Sequence, residues 1–134
     1  MRAKLQDFIG GYASEDECFD MIRELYEQYG YVIDTHTAVA AAAYKKYREE
    51  TKDETKTIIA STASPYKFAR SVMTAIDASY DAMEEFELID ELHKVSQMDI
   101  PNAIEEIRNA EIRHTTECDI DQMEASVKAV LGVV

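Results

Sequence analysis

The chain has 134 residues, 46% hydrophobic and 31% charged, a make-up that fits one folded domain and excludes a disordered segment. Its formal net charge of −13 sets nucleic acid and anionic membrane aside as partners, because both would be repelled. The longest apolar run, Ala38 to Tyr44, is far short of the ~20 residues of a membrane span, and polar Gln6 and Asp7 interrupt any secretory leader. Cys18 and Cys118 stand too far apart in sequence to suggest a disulfide framework, so a reducing, cytoplasmic setting is expected.

Six helical segments are predicted in chain order. Ser14 and Glu17 form a capping box, after which Cys18, Ile22, Leu25 and Tyr29 recur on one face until Gly30 supplies a stop. A second helix begins at Asp34 or Thr35 and runs to about Glu50. Its Ala38–Ala43 stretch is apolar nearly all round, which predicts a buried, closely packed helix. A third helix follows Ser64 as N-cap and Pro65 at the first helical position, with Phe68, Val72, Ala75 and Ile76 inward. The next stripes are Leu88, Leu92 and Val95, then Ile100, Ile104 and Ile107. Asp119 or Asp121 caps the last helix, with the stripe Met123, Val127, Val130 and Val134.

Strand signals are sparse. Thr57 to Ser61 reads as one short strand covered on both faces, and Tyr31-Val32-Ile33 as a weaker second. So small a set leaves backbone groups without ladder partners, which makes the chain look like the last part of a larger α/β domain. The end of the first strand, Ser61-Thr62, meets a helix N-terminus at Ser64-Pro65, the kind of corner where α/β proteins bind ligands.

Three motifs carry a family resemblance: Asp34-Thr35-His36-Thr37-Ala38-Val39-Ala40, Ser61-Thr62-Ala63-Ser64-Pro65-Tyr66-Lys67-Phe68, and Arg113-His114-Thr115 before the terminal helix. With them the chain, from about Phe8 to Gly132, resembles the C-terminal region of threonine synthase, a pyridoxal-phosphate (PLP) enzyme of the tryptophan synthase β-like fold. The second motif is the most specific, and the Glu84–Gln97 region is weakly diagnostic. The resemblance implies an α/β fragment, mainly α-helical with one or two short strands. Residues 1–80 would complete the PLP-domain sheet and helices, and 81–134 would form a C-terminal helical segment.

The family's Phe-Lys-Asp type segment, which carries the Schiff-base lysine, and its Gly-rich, Asn-containing phosphate loop have no counterpart here. Gly10, Gly11, Gly30 and Gly132 form no cradle. In the family both elements lie N-terminal to the region that matches. The chain alone is therefore expected to be inactive, with no catalytic residue of its own. The parent enzyme would convert O-phosphohomoserine and water to threonine and phosphate.

The resemblance implies that Thr62 contacts the PLP pyridine nitrogen, with Ser61 beside it, and that His36 and Thr37 lie near substrate. Residue chemistry alone offers plainer roles. Ser61 and Thr62 can satisfy turn backbone, and Asp34, Thr35 and His36 can simply cap a helix. Lys67 is expected to extend to solvent rather than grip an anion. His114 and Cys118, four residues apart, lack the second ligand pair of a zinc site, so no metal is expected. His93 reads as part of a solvated acidic face, and Cys18 as core packing. Two other readings stand beside the enzyme: an acidic helical interaction module, and a sibling PLP lyase with another substrate. An uncovered Ile58–Ser61 edge predicts self-association.

Overall fold

The structure is a computed structural model and describes residues 7–133. Among these residues the chain forms α1 (Glu15–Tyr29), α2 (Thr35–Thr51), α3 (Ala69–Ile76), α4 (Glu85–Ser96), α5 (Asn102–Arg108) and α6 (Met123–Leu131), with short 3-10 turns before α3, α4 and α6. The Ser14 hydroxyl accepts from Glu17 N at 3.3 Å while Glu17 Oε2 accepts from Ser14 N at 2.7 Å, so the capping box starts α1 as its sequence specifies. Gly30 ends α1 at φ 65°, in the left-handed region where a side chain is costly, and its N–H closes on the Tyr26 carbonyl at 2.8 Å.

α1 packs on α2 and α3, and α3 packs on α4. Ile22, Val72, Met73, Leu88 and Leu92 are fully buried where these helices meet. Because α4 contributes Leu88, Ile89 and Leu92 to the same core, that core continues past residue 80. Arg70 binds α4 and the turn before it to α3, donating to the carbonyls of Asp81 and Met83 and to Glu85 Oε2. A two-pronged Arg108–Asp90 pair, at 2.7 and 3.1 Å, holds α5 to α4.

The segment ahead of α1 lies across α2. A Cβ on Gly11 would stand 2.9 Å from the Ala43 Cβ, so the backbone rests directly on the helix there. Lys46 fastens it, donating to the Tyr12 carbonyl at 3.1 Å and to Glu17 at 2.7 Å, with the Tyr12 ring beneath its ammonium.

Several expectations are corrected. No strand forms among the described residues. Ile58, expected to be covered on both faces, is 92% exposed, and only Ile59 packs partly on the core. The physical reason is the one that made the strand doubtful as an isolated unit: no neighbouring segment offers it a ladder. Val32 and Ile33 are buried, but in the irregular link between α1 and α2.

α2 is not buried all round either. Thr37, Ala38, Ala41 and Ala42 face inward while Val39 and Ala40 stay exposed. The helix after Ser64 begins as a 3-10 turn over Pro65–Phe68, and Phe68 is exposed rather than inward. Ile100 precedes α5, and Ile107 on α5 is 67% exposed. Among the described residues the stripe of α6 has no covering element, with Met123, Val127 and Val130 all exposed. Val134, its fourth member, lies outside the described residues.

Candidate functional site

The N-terminus of α2 and the segment leading to Pro65 converge around one carboxylate. Asp34 caps α2 and is only 1% exposed. Its Oδ1 accepts from the backbone N–H groups of His36 at 2.8 Å and Thr37 at 3.2 Å. Its Oδ2 accepts from the Thr37 hydroxyl in a short hydrogen bond. The Ser61 hydroxyl sits 2.8 Å from Thr37 Oγ1 and 3.4 Å from Asp34 Oδ2. Burial is the largest single influence on Asp34 and raises its pKa. The Thr37 hydroxyl, the two N–H groups and nearby His36 together outweigh it, so the carboxyl ends below its ordinary value and is ionised at neutral pH.

Thus two of the sequence-singled segments meet: Thr37 and Ser61 touch although 24 residues apart. Thr62, next in line, is exposed. His36 is also exposed; its Nδ1 lies 3.4 Å from Asp34 Oδ1 and its ring 5.5 Å from that of Phe68. These two rings line a cleft of about 340 Å³ between the starts of α1, α2 and α3, together with Cys18, Phe19 and Val39.

Ser64 caps the turn that follows, accepting from Tyr66 N at 3.3 Å, and the buried Tyr66 donates its hydroxyl to the Met98 carbonyl at 2.6 Å. Lys67 extends over the Phe68 ring at 5.4 Å. His114 and exposed Cys118 lie apart from this corner, in the irregular stretch before α6. Among the described residues no group of three or more His, Cys, Asp or Glu side chains is placed to hold a metal ion.

Sequence reasoning gave Asp34 only a capping role and missed that it gathers Thr37 and Ser61. The local signal was present, since a Thr three residues after an Asx cap can return its hydroxyl to the cap. The partner 27 residues away carried no signal. His93 is exposed, as expected of a solvated face, and its Nδ1 also lies 2.7 Å from the Met98 carbonyl that Tyr66 binds.

The fold and the corner together define a class: a small helical domain in which hydroxyls from two distant segments gather on one shielded carboxylate. A family model described as "Threonine synthase, C-terminal" matches residues 37–130, a span that includes Thr37, Ser61 and Thr62. The chain is 39% identical over 82 residues to a threonine synthase of Schizosaccharomyces pombe, which is 60% of this chain and 16% of that protein. It is 39% identical over 71 residues to the human threonine synthase-like 1, covering 53% of this chain and 9% of the relative. The mouse threonine synthase-like 1 is 38% identical over the same length. The chain belongs to the threonine synthase C-terminal family, and it spans under a fifth of the length of these relatives.

Proposed function

We propose that this chain acts as the C-terminal part of a threonine synthase, supplying one wall of a PLP site that converts O-phosphohomoserine and water to threonine and phosphate. The observation that supports the reading best is the meeting of Thr37 and Ser61 at 2.8 Å, both inside the family-matched span, with exposed His36 and exposed Thr62 as their chain neighbours.

The residues present fit one edge of PLP. Thr62 offers an exposed hydroxyl suited to the ring nitrogen, and Ser61 beside it is held from behind. When bound, the cofactor supplies an electron sink for chemistry at amino-acid carbons. Thr62 would hold the edge of the ring, and His36 and Phe68, which line the neighbouring cleft, would flank the substrate. The first N–H groups of α2 are taken by Asp34, so the substrate phosphate is held by other groups. The cofactor would be anchored by a lysine outside this corner, and the chain by itself is inactive. The setting is the cytoplasm; among the described residues no helix is long and apolar enough to cross a membrane.

The test is a chimera. The 82-residue segment of the S. pombe threonine synthase that matches this chain is replaced by this chain's own, and phosphate release from O-phosphohomoserine is measured. The expected result is turnover that Thr62→Val reduces at least tenfold, with no turnover by the 134-residue chain and PLP. A folded, PLP-loaded chimera without turnover refutes the reading. Release from a different substrate instead would establish a sibling lyase, a reading kept in view because "Threonine synthase-like 1" proteins match as well as the threonine synthase does.

A further inference from the structure

We propose that the chain pairs with a second copy of itself, α6 of each copy seating its apolar stripe in the groove between α1 and α2 of the other. The pairing uses no residue of the Asp34 corner and stands whether or not that corner holds PLP.

α6 is too short to hold itself. It has nine residues, and isolated helices shorter than ~12 residues are marginal in water. Among the described residues no element covers it, and within it only Ser126 is even partly shielded. Ile120, in the turn before it, joins Met123, Val127 and Val130 at helical spacing, so their exposure makes one continuous stripe.

α1 and α2 enclose a groove of about 560 Å³ whose apolar lining is Met21, Leu25, Ala41 and Ile59. Five charged residues share the lining, and three of them are cations in a chain of net charge −13. Lys45 is neutralised by Glu24 at 2.6 Å. Arg48 and Lys52 form no ion pair among the described residues. The nearby Asp53 carboxylate accepts instead from the Tyr47 hydroxyl and Thr55 N, and Arg48 Nε donates to the Asp53 carbonyl. The cleft beside His36 is apolar too, but no Lys or Arg lines it.

Charge complementarity selects both the occupant and its direction. The stripe of α6 begins among acids, with Asp119, Asp121 and Glu124 flanking Ile120 and Met123. Setting this acidic start against Arg48 and Lys52, at the end of α2, makes α6 run antiparallel to α2. Lys128, one turn beyond Glu124, then comes level with Glu49 and Glu24. The reverse direction would set acid against acid and Lys128 against the two cations. In one chain the groove and the stripe both stay uncovered. Two copies related by a twofold axis cover two stripes and two grooves at once, and this reciprocity doubles the apolar area removed from water.

Sedimentation equilibrium of the 134-residue chain tests the pairing, with cooperative thermal unfolding followed by circular dichroism as the check on folding. The chain should form a dimer and nothing larger. Val127→Asp on the stripe and the double variant Arg48→Glu/Lys52→Glu on the groove should each weaken dimerisation at least tenfold. All three side chains are exposed, so the core does not depend on them. Adding Asp121→Lys/Glu124→Lys to the groove variant exchanges the charges across the contact and should restore most of the lost affinity. A strict monomer up to millimolar chain overturns the pairing, whether α6 lies bare or in its own groove. So does a dimer that ignores Arg48→Glu/Lys52→Glu, which would mean stripe against stripe. A dimer lost in Ile58→Asp but kept in Val127→Asp, growth beyond two copies, or a charge exchange that restores nothing overturns it equally.

Discussion

Replacing Tyr66 by Phe removes one atom from the tether that anchors the Ser64–Phe68 turn to the far side of the core. Tyr66 is 5% exposed and donates to the Met98 carbonyl at 2.6 Å. A net intramolecular hydrogen bond contributes about 1 kcal/mol, and leaving a buried partner unpaired raises the cost toward ~3 kcal/mol. Here the carbonyl keeps a second partner, His93 Nδ1 at 2.7 Å, so the lower figure applies and about 1 kcal/mol is expected. At a urea dependence of ~2 kcal/mol per molar, the unfolding midpoint should fall by about 0.5 M with unchanged slope. His93→Ala alone should cost less, because its ring is exposed. The double variant should cost more than the sum of the two by at least ~0.5 kcal/mol, since only then is the carbonyl orphaned. Circular dichroism during urea titration measures all three. A strictly additive double variant, or a Tyr66→Phe midpoint indistinguishable from wild type, would refute the shared-carbonyl reasoning.

Lys52 and Gln97 end α2 and α4 at φ 58° and 57°, and Gly at either position should raise stability by about 0.5–1 kcal/mol in the same titration. Asp53, held by Thr55 and Tyr47, has its carboxyl lowered to about 2, and Asp34 is lowered too. Folded-state values below the ordinary 3.8 mean that their stabilisation is present above that pH and lost as pH falls through the folded values. Acid titration should therefore show stability falling from about pH 4 toward 2, with a shallower fall in Asp53→Asn. Light scattering should show self-association rising with concentration, driven by exposed Ile58, Ile120, Val127 and Val130 rather than by a preformed strand edge. A strict monomer across the range would count against it.

Local signals were readable from the sequence where the physics is local. The Ser14 box, the Gly30 stop and the Asp34 cap depend on residues within one turn, and each formed as the sequence specifies. The stripe of α4, and that of α1 over Cys18, Ile22 and Leu25, were legible because three-residue and four-residue spacing fixes which side chains face the core, whereas Tyr29 at the end of α1 is 72% exposed where the helix runs past its neighbours. The Ile58–Ser61 strand failed because strandness is a property of neighbours, and Val, Ile and Thr content cannot supply a partner. Periodicity likewise gave α6 an inward face with nothing opposite to receive it. At the site, His36, Thr37, Ser61 and Thr62 were named individually. Their convergence on Asp34 depends on a contact between distant segments that no spacing rule encodes.

Gly11 and Ala43 share one small volume, and both are already near the minimum size their positions allow. A methyl added at 11 cannot be absorbed by trimming 43 to anything but glycine, and a longer side chain at 43 has no smaller neighbour to displace. Size changes there must move main chain, and the piece that moves carries Tyr12 off the Lys46 ammonium. The contact thus works as a spacer of fixed thickness. It sets how far the chain entering α1 stands from α2, and any redesign of the leading segment inherits that distance as a constraint.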